Sequence, residues 1–181
     1  MQHKITDQEL LHLLKTDGDY AMKLLFGNYY GFVCNAIFKV LPDKVLVEDL
    51  AQEVFYEIWR RKDKLKISTT ISAYLKRAAI NRTLNYIRDQ KIKFDEEEKI
   101  DLAYSSAPKA QQQVEAKEME QMINAAIDSL PERCRIVFAL SRFEEMSYKE
   151  IADKLNISIK TVENQISKAL KVLRIKLKDH L

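Results

Sequence analysis

Near the end of the chain, Lys160, Thr161, Asn164, Lys168 and Lys171 place amines, an amide and a hydroxyl at largely helical spacing, with Glu163 the one acid among them. Steps of three and four lay side chains along one helix face. Donors arranged this way suit phosphate oxygens and the base edges of a DNA major groove. Covalent chemistry finds less support. The three His are His3, His12 and His180, and no metal-ligand spacing or Gly-rich phosphate loop accompanies them. The sequence therefore calls for no catalytic residue, no metal and no cofactor.

The surrounding residues read as a helix-turn-helix. Ser147 followed by Glu150 forms a capping box, so a helix is expected to begin at Tyr148 and to bury Ile151, Ala152 and Leu155. Asn156 tolerates the left-handed backbone of a tight turn, Ile157 caps the small core, and Ser158 can N-cap the next helix. Along that helix Ile159, Val162, Ile166, Ala169, Leu170 and Leu173 form the expected apolar face. An ordinary amphipathic hairpin with a solvated lysine face shares this periodicity. The small Ala152 at the crossing, the short turn and the near absence of acids favour DNA.

A second polar stripe lies in mid-chain. From Arg60 to Lys93 there are eleven Lys or Arg against two Asp. Within ISAYLKRAAINRTLNYIRDQ, a helix that Ser68 or Thr69 could cap, Arg77, Asn81, Asn85 and Arg88 align, with Tyr74 and Tyr86 nearby and Ile71, Leu75, Ala78 and Ala79 as apolar contacts. A solvated helix would mix Glu with Lys; Arg, Asn and Tyr better suit phosphates and unstacked bases.

The preceding helix, VLVEDLAQEVFYEIWRR, has the opposite sign. Leu46, Leu50, Val54 and Ile58 share one face, while Glu48, Asp49, Gln52, Glu53 and Glu57 occupy the remainder. Phe55 and Trp59 flank that polar side, either as core or as a partner-docking pair. Earlier still, Thr6 and Glu9 form a capping box for a short helix ending at Asp17-Gly18-Asp19. The helix from Tyr20 to about Val40 is expected to bury Met22, Leu25, Phe26, Tyr29, Tyr30, Val33, Ile37 and Phe38.

With 3 Gly, 3 Pro and no sustained alternation of β-branched residues, the 181-residue chain reads as all-α. It divides into two small helical domains, 1–92 and 115–181, joined by a flexible linker, 93–114, rich in acids, Ser and Gln; the second domain contains the helix-turn-helix. Its first helix is expected to face inward through Met119, Met122, Ile123, Ala126, Ile127 and Leu130, with Pro131 opening the next. Extended at about 3.3 Å per residue, the linker would reach roughly 70 to 80 Å, about two turns of duplex. A net charge of +3 is too small to argue for nucleic acid, so the distribution of charge carries the argument. Cys34 and Cys134 sit in apolar patterns without a disulfide or metal framework, which suits a reducing cytoplasm, and neither a signal peptide nor a membrane-spanning run is legible.

These three surfaces, in this order, resemble bacterial RNA polymerase sigma factors of the extracytoplasmic-function (ECF) group, which retain regions 2 and 4. The likeness runs from Tyr20 to Leu177. VEDLAQEVFYEIWR is similar to the helix that binds the beta-prime clamp of core polymerase, YLKRAAINRTLNYIR to the helix that reads the minus-10 element and holds melted non-template strand, and LPERCRIVFALSRFEEMSYKEIADKLNISIKTVENQISKAL to region 4, which reads the minus-35 element. By position, the resemblance implies core-polymerase contacts at Asp49, Gln52, Glu53, Phe55 and Trp59. It implies minus-10 contacts at Tyr74, Arg77, Asn81, Asn85 and Arg88, and minus-35 contacts at Lys160, Thr161, Asn164, Lys168 and Lys171. Tyr74 stands where Trp is common and Asn85 where Asp is common, and Lys64 to Thr70 falls where the family captures a flipped base. The resemblance further implies beta-flap contact, duplex and melted promoter DNA, an anti-sigma factor and cytoplasmic action without membrane insertion. The helix-turn-helix looks most like members from Bacteroidetes.

Two other readings compete. A regulator of the two-component output type would bind duplex without polymerase and would need no strand-binding surface between Tyr74 and Arg88. A nuclease would need catalytic ligands that the three His do not supply.

Overall fold

The computed structural model describes residues 6–65, 67–90, 94 and 116–178. All regular structure among these residues is helical, and the chain divides into two compact units, Met1–Asp89 and Gln90–Leu181. Apart from Phe94, the expected linker lies outside the described residues.

The first unit contains α1 (Asp7–Thr16), α2 (Gly18–Phe38), α3 (Lys44–Arg61), a 3-10 turn (Lys62–Lys64) and α4 (Ile71–Asp89). Local side chains set most of its boundaries. Glu9 N–H donates to Thr6 Oγ1 at 3.2 Å while Glu9 Oε2 accepts from Thr6 N–H at 2.8 Å, which completes the expected capping box. Asp17 serves two helices: its N–H donates to Leu13 O at 2.8 Å to close α1, and its carboxylate accepts from Tyr20 N–H at 3.2 Å to open α2. The expected three-residue turn is thus one residue, with Gly18 and Asp19 already helical. Asp43 caps α3 through Leu46 N–H at 3.1 Å. The cap of α4 is Thr70, not Ser68 or Thr69, because Thr70 directly precedes Ile71 and its hydroxyl reaches Ala73 N–H at 3.2 Å.

Helix α2 is the axis of this unit, packing against α1, α3 and α4. Its inward side is Ala21, Leu25, Val33, Ala36 and Ile37; these meet Leu10 and Leu14 of α1, Leu50, Val54 and Ile58 of α3, and Ile71, Leu75 and Ala79 of α4. Each fully buried Leu or Ile contributes about 1.5–3 kcal/mol. Phe26 and Phe38, expected inside, are exposed: Phe38 lies about 100° round the helix from buried Ile37, and Phe26, two turns before buried Val33 and in line with it, lies over Phe55 on the outside of the core. Phe26 also stacks on Tyr30 with ring centroids 4.5 Å apart.

The second unit contains α5 (Ala116–Asp128), α6 (Glu132–Arg142), α7 (Tyr148–Leu155) and α8 (Ile159–Lys176). Pro131 precedes α6, and α8 packs on α5, α6 and α7. Ala126, Ile127, Leu130 and Cys134 meet Ala169, Val172 and Leu173, while Ile123 faces solvent. Buried Gln165 is satisfied on both ends: its Oε1 accepts from the Cys134 thiol at 3.1 Å and its Nε2 donates to Phe94 O at 2.9 Å. Phe94, read from the sequence as linker, is buried.

Candidate functional site

The helix-turn-helix is built by local chemistry. Ser147 Oγ accepts from Glu150 N–H at 3.3 Å, and Glu150 Oε2 accepts from Ser147 N–H at 2.8 Å. The Ser147 hydroxyl also donates to Glu150 Oε2 at 2.7 Å, and chiefly this bond, then the one from Ser147 N–H, holds the Glu150 carboxyl below its usual range. Asn156 adopts φ 56° and ψ 49°, the left-handed conformation its side chain tolerates, and both its N–H and that of Ile157 return to Ala152 O. Ser158 then caps α8, its hydroxyl accepting from Thr161 N–H at 2.9 Å.

On α8, Lys160, Asn164 and Lys171 are exposed and Lys168 is half-buried, all on the face turned from α6 and α7. Thr161 does not join them. It is 8% exposed, with its hydroxyl 2.8 Å from Ser158 Oγ, because the step from Lys160 to Thr161 turns about 100° around the helix and brings Thr161 under the cap. Two residues expected in the core move the other way: Ile159 is 46% and Leu170 52% exposed. Besides Thr161, the residues that α8 buries are Val162, Gln165, Ile166, Ala169, Val172 and Leu173, so Gln165 fills a place that apolarity alone assigned elsewhere. Glu163, the acid on this face, pairs with Lys160 at 3.3 Å.

In the first unit, α3 and α4 lie side by side. Asp49, Gln52 and Glu53 are exposed on α3, as expected, and Trp59 is 46% exposed. Phe55 is a correction: at 4% exposure it is core, held against Phe26 at 5.1 Å and Tyr30 at 6.2 Å between ring centroids. Four residues separate Phe55 from Trp59, a shared face on paper, but α2 covers the Phe55 turn and leaves the last turn of α3 open. The aromatic partner of Trp59 is Tyr56, stacked at 6.2 Å and itself exposed. Their spacing of three was the available signal, and it was missed. Lys62 sits 5.3 Å from the Trp59 ring, and Glu57 beside it pairs with Arg60 at 2.8 Å and Arg61 at 3.1 Å. The Arg60 hydrogen bond chiefly pulls the Glu57 carboxyl down.

The α4 stripe holds together as a surface. Arg77, Asn81 and Arg88 are exposed, Tyr74 and Asn85 are half-buried, and Arg88 donates to Asn85 Oδ1. Arg82, absent from the stripe expected from sequence, forms an ion pair with Glu53 of α3. One acid of the α3 face is therefore already engaged by the basic helix, a pairing 29 residues apart that no local pattern announces. Tyr86 is half-buried against the core. Of the Lys64–Thr70 segment, Leu65 and Ile67 pack inward while Ser68, Thr69 and Thr70 are exposed; Lys66 lies outside the described residues.

Among the described residues no group of three His, Cys, Asp or Glu could hold a metal ion, and no helix is long and apolar enough to cross a membrane. The surfaces offer side-chain donors, stacking rings and an acidic helix face, which is equipment for binding.

Comparison with known proteins agrees in both units. The family models Sigma-70 region 2 and Sigma-70, region 4 match residues 25–92 and 120–173. The ECF RNA polymerase sigma-E factor of Escherichia coli K12 is 27% identical over 178 residues, covering 93% of each chain. That of Haemophilus influenzae is 23% identical over 186 residues, covering 98% of each. A solved structure of CnrH in complex with the cytosolic domain of CnrY is 21% identical, covers 96% of this chain and 97% of that one, and has a TM-score of 0.46. With region 2 followed by region 4, and with ECF sigma factors aligned along nearly its full length, this chain belongs to the sigma-70 family as an ECF sigma factor, which joins core RNA polymerase to direct promoter-specific initiation of transcription.

Proposed function

We propose that the three surfaces divide the work of initiation. Asp49, Gln52 and Glu53, with the Tyr56–Trp59 pair at the end of α3, dock on the beta-prime clamp. Tyr74, Arg77, Asn81, Asn85 and Arg88 hold the minus-10 element as it melts. Lys160, Asn164, Lys168 and Lys171 take the edges and phosphates of the minus-35 element, and the second unit also meets the beta flap. The observation that carries this reading is the face of α8: its donors point away from the helices that bury its other side, the disposition of a helix that enters a major groove.

Domains 1–92 and 115–181 bind the two promoter elements while 93–114 spans between them. Trapping bases after they leave the stack shifts the closed complex toward the open one by binding energy, so the chain needs no catalytic residue. It acts in the cytoplasm, where core polymerase and promoter meet, and an anti-sigma factor competes for the polymerase-binding face.

The test is transcription by core polymerase, with and without this protein, on pooled genomic promoter fragments. New start sites preceded by a shared two-part element are expected. Retention of duplex by the protein alone, with neither core binding nor new transcripts, would sink the proposal in favour of an autonomous regulator.

A further inference from the structure

Helix α1 lies outside both matched regions, yet it supplies a bond to the helix that carries the minus-10 stripe. The carboxylate of Asp7 accepts from Ile71 N–H at 2.9 Å across 64 residues of sequence. Helix α4 cannot provide this acceptor itself. An N-cap side chain reaches the second or third amide of its helix, and Thr70 is committed to Ala73 N–H. Ile71 begins the helix and is 1% exposed, so its N–H has little water to turn to.

Asp7 is held in place from both sides. The Thr6–Glu9 capping box sets the first turn of α1, and Leu10 and Leu14, three and seven residues on, are buried in the core. Burial first, and the Asp7 carboxylate second, push the Tyr29 phenol up, which places negative charge against α2 as well. On the other side of the bond, Leu14, Leu65, Ile67, Ile71 and Tyr74 line one apolar crevice. The first turn of α4, the segment leading into it and the ring of Tyr74 therefore share a support, and Asp7 is tied to it through the Ile71 amide. Negative charge at a helix N-terminus also opposes the positive end of its dipole.

We propose that Asp7 is a positioning residue for the minus-10 surface, fixing the first turn of α4 and the Ile67–Thr70 segment through the Ile71 amide. The inference rests on the assignment of α4 to the minus-10 element. Asp7→Ala removes the acceptor, whereas Asp7→Asn keeps an oxygen at the same reach. Holoenzyme assembled with each full-length variant is titrated with a fluorescent single strand carrying the non-template minus-10 sequence of a promoter found by the transcription assay. Core affinity and Ile71 amide exchange are measured beside it.

Asp7→Ala should weaken strand binding about fivefold and speed Ile71 exchange by a similar factor, as loss of a capping acceptor does, with core affinity unchanged. Asp7→Asn should stay within about twofold of wild type on both. Strand binding by Asp7→Ala equal to wild type, or an equal loss of strand and core affinity in both variants, overturns the proposal. Arg77→Ala separates the two failures. If it weakens the strand while Asp7→Ala does not, only the positioning role falls; if neither does, the minus-10 assignment falls and takes the positioning role with it.

Discussion

Asn156 offers the sharpest test of how the helix-turn-helix is held. Its φ of 56° and ψ of 49° lie where a side chain with a Cβ costs about 1–2 kcal/mol unless local hydrogen bonding or glycine relieves it. The turn depends on that conformation, because only then do the N–H groups of Asn156 and Ile157 both return to Ala152 O. Asn156→Ala should therefore destabilise the second unit by about 1 kcal/mol, Asn156→Val by about 2 kcal/mol, and Asn156→Gly by less than about 0.5 kcal/mol. With a urea dependence of about 1 kcal/mol per molar for a unit this small, the Ala variant should unfold about 1 M earlier. The chain carries its own control. Its single Trp is Trp59, in the first unit, so tryptophan fluorescence follows one unit while the helical circular dichroism signal follows both. The dichroism transition should broaden or split toward lower urea as the fluorescence midpoint stays in place. Equal losses for Gly and Ala would refute backbone strain as the cause, and a fluorescence midpoint that moves in step would refute confinement to the turn.

Other expectations concern the remaining surfaces. Glu150 has its pKa lowered in the folded state by Ser147, so its contribution is present above the ordinary carboxylate range and is lost as pH falls through the lowered value; Glu150→Gln should flatten that acid-side loss in unfolding curves of the second unit. Lys160→Ala or Asn164→Ala should reduce use of minus-35-dependent promoters about fivefold to a hundredfold with core affinity unchanged, read by transcription and by core titration. Charge reversal at both Asp49 and Glu53 should reduce core affinity at least tenfold, to the order of a few kcal/mol at a charged interface, measured by competition with wild type. Arg82→Ala should leave Glu53 unpaired but exposed and change stability by less than about 1 kcal/mol in thermal unfolding, as expected for a surface ion pair.

Helix positions were legible because the signals that start and stop helices are short. Thr6 with Glu9, Ser147 with Glu150, Asn156 and Ser158 each act within four residues, and each appears where its spacing says it should. Thr70 escaped because Ser68, Thr69 and Thr70 are chemically interchangeable as caps, and the helix start alone selects among them.

Local signals of this kind determined the all-helical class, the helix-turn-helix and the order of the acidic and basic surfaces. They could not determine which side of each helix meets a neighbour. A residue at the edge of an apolar stripe lies inside or outside according to where the next helix crosses. That is why Ile159 and Leu170, at the edge of the α8 stripe, came out exposed and Phe55, covered by Phe26 and Tyr30 of α2, came out buried. Pairings such as Glu53 with Arg82 and Asp7 with the Ile71 amide join atoms brought together only after the helices pack, so tertiary structure alone decided them.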